Sequence, residues 1–146
     1  MKTCNLAVML SLVLVASMSA QQAPGGARPV ASVRELHEIV ITPASDAVFR
    51  AAGDLPTTDQ AWRDARKQAI MLAESGNLLM LGGRARDNTG WMKLSRALVD
   101  AAAGAAAAAG KKDAKALEAA GDSITTACET CHRPYRDGGR QMGSPR

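Results

Sequence analysis

Four segments of the chain repeat their apolar residues at the spacing of an amphipathic α-helix. They cover residues 32–52, 59–81, 89–109 and 113–135. The two central segments are the most regular, and their inward faces are formed by Trp62, Ala65, Ala69, Leu72, Gly76 and Leu79 and by Trp91, Leu94, Leu98, Ala102, Ala105 and Ala109. No stretch alternates with the period of a β-strand over a useful length. Four amphipathic helices with short connections predict an all-α fold, an antiparallel four-helix bundle.

Capping residues predict where these helices begin and end. Thr42 could cap a new turn with Pro43 at its first position, so we expect the first segment to be kinked or split there. Thr58 or Asp59 is expected to cap the second segment. Gly110 is expected to end the third, because glycine often follows the last helical residue.

The end of the third segment, residues 101–110, is almost entirely alanine and glycine. One interpretation is a helix end of low complexity. The other is a smooth surface that lets a neighbouring helix or the edge of a cofactor approach closely. The sequence leaves both open.

The N-terminus has the pattern of a cleaved signal peptide over residues 1–20. Lys2 precedes an apolar run from Leu6 to Val15, and small residues then lead to Ala20, where we expect cleavage. The run is shorter than the ~20 residues that a spanning helix needs. We therefore expect an exported protein without a membrane span in its mature form, located in the periplasm.

Three further ranges complete the predicted organisation. Residues 21–30 are rich in glycine and proline and are expected to form a flexible leader. Residues 31–136 are expected to form one folded domain, and residues 137–146 a disordered tail.

Composition narrows the function. Aromatic residues make up only 3% of the chain, which leaves alanine, leucine, valine and methionine to fill the core, so a large buried prosthetic group would help it. Removing Lys2 with the signal peptide leaves 17 basic and 14 acidic residues. These charges are spread out, with no basic run and no interleaved aromatics, so we expect no nucleic-acid partner.

The cysteines give the strongest functional signal. Cys4 leaves with the signal peptide, and the other two cysteines lie in the sequence CETCH at 128–132. Cys128 and Cys131 project from one side of a helix, about one turn apart. Two thiols so placed suit thioether bonds to the vinyl groups of a haem, and His132 can then reach the iron as an axial ligand.

Three other interpretations of the two cysteines are less well supported. A thioredoxin-like dithiol belongs near the start of a helix in a fold that also contains strands. A zinc site would need Cys128, Cys131, His132 and His37 together, and adjacent Cys131 and His132 are awkward partners on one tetrahedral ion. A structural disulfide is the third. One covalent haem c is therefore the favoured cofactor.

The motif resembles that of a known family. The sequence CETCHRPYR at 128–136 is similar to the CxxCHxxYR pattern of the class II cytochromes c, the cytochrome c′ and cytochrome c-556 group. The resemblance is specific in these residues and extends to the helix order over 31–136. It implies a haem on the C-terminal helix, a Gram-negative periplasm, redox partner proteins and, in many members, a homodimer.

The resemblance also separates two functions by the sixth position of the iron. In cytochromes c′ an apolar side chain of the first helix shields an open iron that binds nitric oxide or carbon monoxide. In cytochromes c-556 a methionine of that helix completes the coordination for electron transfer. Residues 32–52 contain no methionine but do contain His37, the only other histidine besides His132. We expect either ligation by both histidines, or an open iron under Leu36 or Val40.

Other residues are secondary candidates. Met80 is the best methionine for the sixth position, whereas Met71 is half a turn out of phase with it. The resemblance implies that Arg34 and Arg136 lie near the haem propionates, and Arg133 is a further candidate. A lone His37 supplies no distal acid–base arrangement for a peroxidase, so we expect a one-electron carrier rather than an enzyme, with diatomic gas binding as the alternative.

Overall fold

The computed structural model describes residues 27–137, and every regular element in that range is helical. The elements are α1 (Val33–Leu36), a first π-helical turn (His37–Ile41), α2 (Thr42–Gly53), α3 (Asp59–Leu79), α4 (Gly90–Lys111), α5 (Ala114–His132) and a second π-helical turn (Arg133–Asp137). The signal peptide, most of the predicted leader and nearly all of the predicted tail lie outside the described residues.

The structure confirms the predicted all-α four-helix bundle. The first bundle helix is continuous from α1 through the first π-helical turn to α2, and α3, α4 and α5 are the other three. Because few residues join one helix to the next, successive helices are antiparallel. Among residues 27–137, no helix is both long and apolar enough to cross a bilayer.

Pro43 changes the first bundle helix without ending it. Proline has no N–H to donate, and the chain accommodates this by widening one turn, so that the Thr42 N–H bonds the carbonyl of His37 five residues before it. Thr42 itself is helical, with φ −61° and ψ −52°, so the prediction that it caps a new helix is wrong. The wide turn also changes which residues of the first bundle helix point into the core. Ile41 is buried, whereas Val40 is only partly buried.

The prediction that Gly110 ends the third bundle helix is also wrong. The helix α4 continues through Lys111, and Lys112 then takes the left-handed conformation with φ 55°. The N–H of Asp113 bonds the carbonyl of Ala108, which closes the helix in the usual capping arrangement. Alanine has the highest helix propensity, so the preceding alanine run carries the helix past one glycine.

The core follows the predicted faces closely. All six predicted core positions of α3 are buried, and Thr58 caps this helix by accepting the N–H of Ala61. Small residues bring α3 and α4 into close contact: a Cβ at Gly76 would lie 2.7 Å from Val99 Cγ2. Five alanines of residues 101–110 are buried, which supports the interpretation of this stretch as a smooth packing surface.

Candidate functional site

Two adjacent cavities lie where the end of α5 meets the first bundle helix. The larger has a volume of about 400 Å³, and the smaller, more enclosed one has about 80 Å³. Both are lined by His37, Thr42, Leu79, Cys131 and His132. The shared lining makes them two parts of one site.

The residues that the sequence predicts for this site come together around these cavities. Every one of the six main candidates lines at least one cavity: Cys128, Cys131, His132, His37, Arg34 and Arg136. Met80 and Arg133 line neither. Met71 is 45% exposed, as its phase on the helix predicts.

The two thiols do not have the properties of a reactive redox pair. They are half-buried and are not joined to each other. Burial raises the pKa of both thiols, and the neighbouring Cys131 and Glu129 raise that of Cys128 further. Redox-active dithiols have a lowered pKa instead. Within residues 27–137, no three His, Cys, Asp or Glu side chains are grouped to hold a metal ion.

The two histidine rings lie at a separation that is compatible with binding one metal between them. Their ring centroids are 5.9 Å apart, with 45° between the ring planes. Imidazole nitrogens bind metals such as zinc at about 2.0–2.1 Å, so two rings on opposite sides of one metal have centres roughly 6 Å apart. His37 Nδ1 lies 2.9 Å from the Val33 carbonyl, which can only accept. The proton is therefore assigned to Nδ1, and Nε2 keeps its lone pair for a ligand.

His132 is held in a different way. Arg136 donates to His132 Nδ1 across 3.2 Å. Arginine has no acceptor, so Nδ1 accepts here and the ring proton is on Nε2. Metal binding through Nε2 would need this proton to move to Nδ1, where it would displace the arginine N–H.

The smaller cavity contains an unsatisfied polar atom. The Ser95 hydroxyl is the one buried side-chain polar atom without a hydrogen-bond partner among the described residues, and Ser95 lines this cavity. Buried hydroxyls without partners are rare because leaving one unpaired is costly. This hydroxyl therefore suggests that the cavity takes up a further group.

A second group of residues anchors the chain after His132, and sequence reasoning missed Asp87 at its centre. Asp87 accepts the backbone N–H groups of Thr89 at 2.9 Å and Trp91 at 3.0 Å, and the Tyr135 hydroxyl donates to the same carboxylate. The Tyr135 ring also packs edge-on against Trp91, with centroids 5.0 Å apart. Gly90 leaves room for this contact, because a Cβ there would lie 2.6 Å from the tyrosine hydroxyl.

These contacts fix the ionisation of both side chains. The hydrogen bond from Tyr135, followed by those from the backbone of Thr89 and Trp91, lowers the pKa of Asp87 to about 2. The carboxylate in turn raises the pKa of Tyr135 to about 12. Asp87 is therefore charged and Tyr135 neutral throughout the physiological range.

We expect Tyr135→Phe to destabilise the protein in a pH-dependent way. A lowered folded-state pKa stabilises the fold above the ordinary pKa of the group, and this stability is lost as the pH falls toward about 2. The variant should unfold at lower urea concentration than the parent at pH 7, and the gap should narrow between about pH 4 and pH 2. Ser123→Ala, which removes a hydroxyl bonded only to Ala119 of its own helix, is the control. If the urea midpoints of parent and variant differed by the same amount at pH 7 and at pH 2.5, the lowered pKa of Asp87 would be contradicted.

The chain matches no protein-family model, no curated protein and no solved structure. Function must therefore be inferred from the motif at 128–132 and from the side chains that the fold brings to it. Those side chains come from the first bundle helix, from α3 and α4 and the connection between them, and from the end of α5.

Proposed function

We propose that this protein is an exported c-type cytochrome with one haem, which transfers single electrons between redox partner proteins. The observation that carries the proposal is the CETCH sequence at 128–132, whose two thiols and histidine line one site together with His37. Export through the signal-like residues 1–20 would bring the chain to the periplasm, where such attachment is completed.

The lining of the site fits a haem c. Cys128 and Cys131 would hold it by thioether bonds, and His132 would be one axial ligand. Haem c supplies an iron that changes its oxidation state by one electron. The larger cavity has about 400 Å³, within the range of cofactor pockets, and combines apolar walls such as Leu79 and Trp91 with a few charged groups.

His37 supports electron transfer over gas binding. Its separation from His132 and its proton on Nδ1 both suit a second axial ligand on the same iron. Neither Leu36 nor Val40 lines either cavity, which favours His37 over these two side chains at the sixth position. An iron with two strong protein ligands rearranges little between oxidation states, as an electron carrier requires.

The proposal is tested on protein matured in a host that exports it and attaches haem. We expect a mass increase of one haem under denaturing conditions, sharp low-spin bands in both oxidation states and a reversible one-electron couple. Carbon monoxide should leave the ferrous spectrum unchanged. A bare polypeptide mass would refute the cytochrome assignment, whereas high-spin ferrous bands that respond to carbon monoxide would support the five-coordinate gas binder instead.

A further inference from the structure

The mouth of the larger cavity carries an excess of positive charge. Its charged side chains are those of three arginines and one glutamate: Arg34, Arg86, Arg136 and Glu38. The formal net charge of these four side chains is therefore +2. A haem carries two propionate carboxylates, so the charge of the mouth is complementary to that of the cofactor.

The three arginines differ in the partners they already have. Arg34 forms an ion pair with Glu38 across 2.7 Å, one helical turn away. Arg136 contacts His132. Arg86 forms none of the ion pairs between described residues, and its side chain is exposed at the cavity. None of these ion pairs therefore neutralises the charge of Arg86.

The backbone on both sides of Arg86 is anchored. Two positions before it, Arg84 is buried and donates to the carbonyls of Ala31 and Leu78 at 3.0 and 3.2 Å. Directly after it, Asp87 is held by the Tyr135 hydroxyl and by the first turn of α4. A residue between two such anchors is kept at the mouth before any ligand binds, which reduces the entropy lost on binding.

We propose that Arg86 binds a haem propionate, with Arg136 as its partner across the mouth and with a smaller contribution from Arg34. The inference rests on the proposed function. A guanidinium presents paired N–H donors that match the two oxygens of a carboxylate, which an ammonium group does not. Arg86 would therefore both neutralise and orient the carboxylate.

The test compares Arg86→Ala, Arg86→Lys and Arg34→Ala with Arg96→Ala, an exposed arginine of α4 that lines neither cavity. The purified holoproteins are measured by redox titration and by resonance Raman spectroscopy of the propionate bending band. Removing a positive charge near the iron favours the ferric state, so Arg86→Ala should lower the midpoint potential. It should also shift the propionate band to lower wavenumber, as expected when a hydrogen bond is lost.

Arg86→Lys should restore most of the potential but not the Raman band, because it keeps the charge without the paired donors. Arg34→Ala should change both readouts less than Arg86→Ala does. The inference would be overturned if Arg86→Ala changed the potential and the Raman band no more than Arg96→Ala does. It would also be overturned if Arg34→Ala changed them more than Arg86→Ala does. Either result would leave haem attachment itself intact. Absence of haem from the parent protein would instead refute the proposed function.

Discussion

Replacing Cys128 and Cys131 together by alanine is expected to abolish covalent haem attachment completely. The chain has no other cysteine in the described residues, so no thioether can form elsewhere in the bundle. After maturation in a host that attaches haem, the parent should carry one haem under denaturing conditions, and the double variant should have the bare polypeptide mass. Each single variant should retain at most one thioether bond.

Thr130→Ala is the matched control for this experiment. Thr130 lies between the two cysteines, is exposed, and bonds only the Thr126 carbonyl of its own helix. Its replacement should leave the haem in place. Covalent haem that persisted in the double cysteine variant, or that was lost in the Thr130 variant, would contradict the attachment that we propose.

The double cysteine variant should nevertheless keep its helices. The buried residues that hold α5 in the bundle are Leu117, Ala120, Gly121, Ile124 and Ala127, and none of them is changed. Far-ultraviolet circular dichroism would show this. The covalent haem stays on the unfolded chain, but its contacts with the bundle exist only in the folded state, so the parent should unfold at a higher temperature than the variant.

The bundle could be predicted from the sequence because its helices bury a regular face. In α3, Trp62, Leu72 and Leu79 recur in phase with the helix, and all three are buried as predicted. The irregular features could not be predicted in this way. A proline such as Pro43 can end, kink or widen a helix. Here it widens one turn, and the turns on both sides stay helical.

In the candidate site, too, residues with a local sequence signal could be predicted, whereas residues brought in only by the fold could not. The motif at 128–132 is contiguous, and His37 was identified because histidine is so rare in this chain. Arg86 and Asp87 carried no such signal. Asp87 lies 48 residues from Tyr135 in the sequence, and only the packing of the α3–α4 connection against the end of α5 brings them into contact.

His37→Ala is expected to convert a low-spin haem protein into a high-spin one that binds carbon monoxide. The alanine cannot replace an imidazole whose ring centroid lies 5.9 Å from that of His132, so the sixth position of the iron would lose its protein ligand. The change should be complete in the ferrous spectrum rather than partial. His37→Met should restore much of the low-spin spectrum, since a thioether is also an axial haem ligand.

Met80→Leu tests whether His37 or Met80, the other candidate, is the sixth ligand of the iron. Met80 follows the last residue of α3 and lines neither cavity, so its replacement should leave the spectrum unchanged in both oxidation states. A low-spin spectrum that survived His37→Ala but not Met80→Leu would assign the sixth position to the methionine. The Val33 carbonyl makes the assignment of His37 sharper still, because it holds the proton on Nδ1 and leaves Nε2 as the nitrogen with a lone pair for iron.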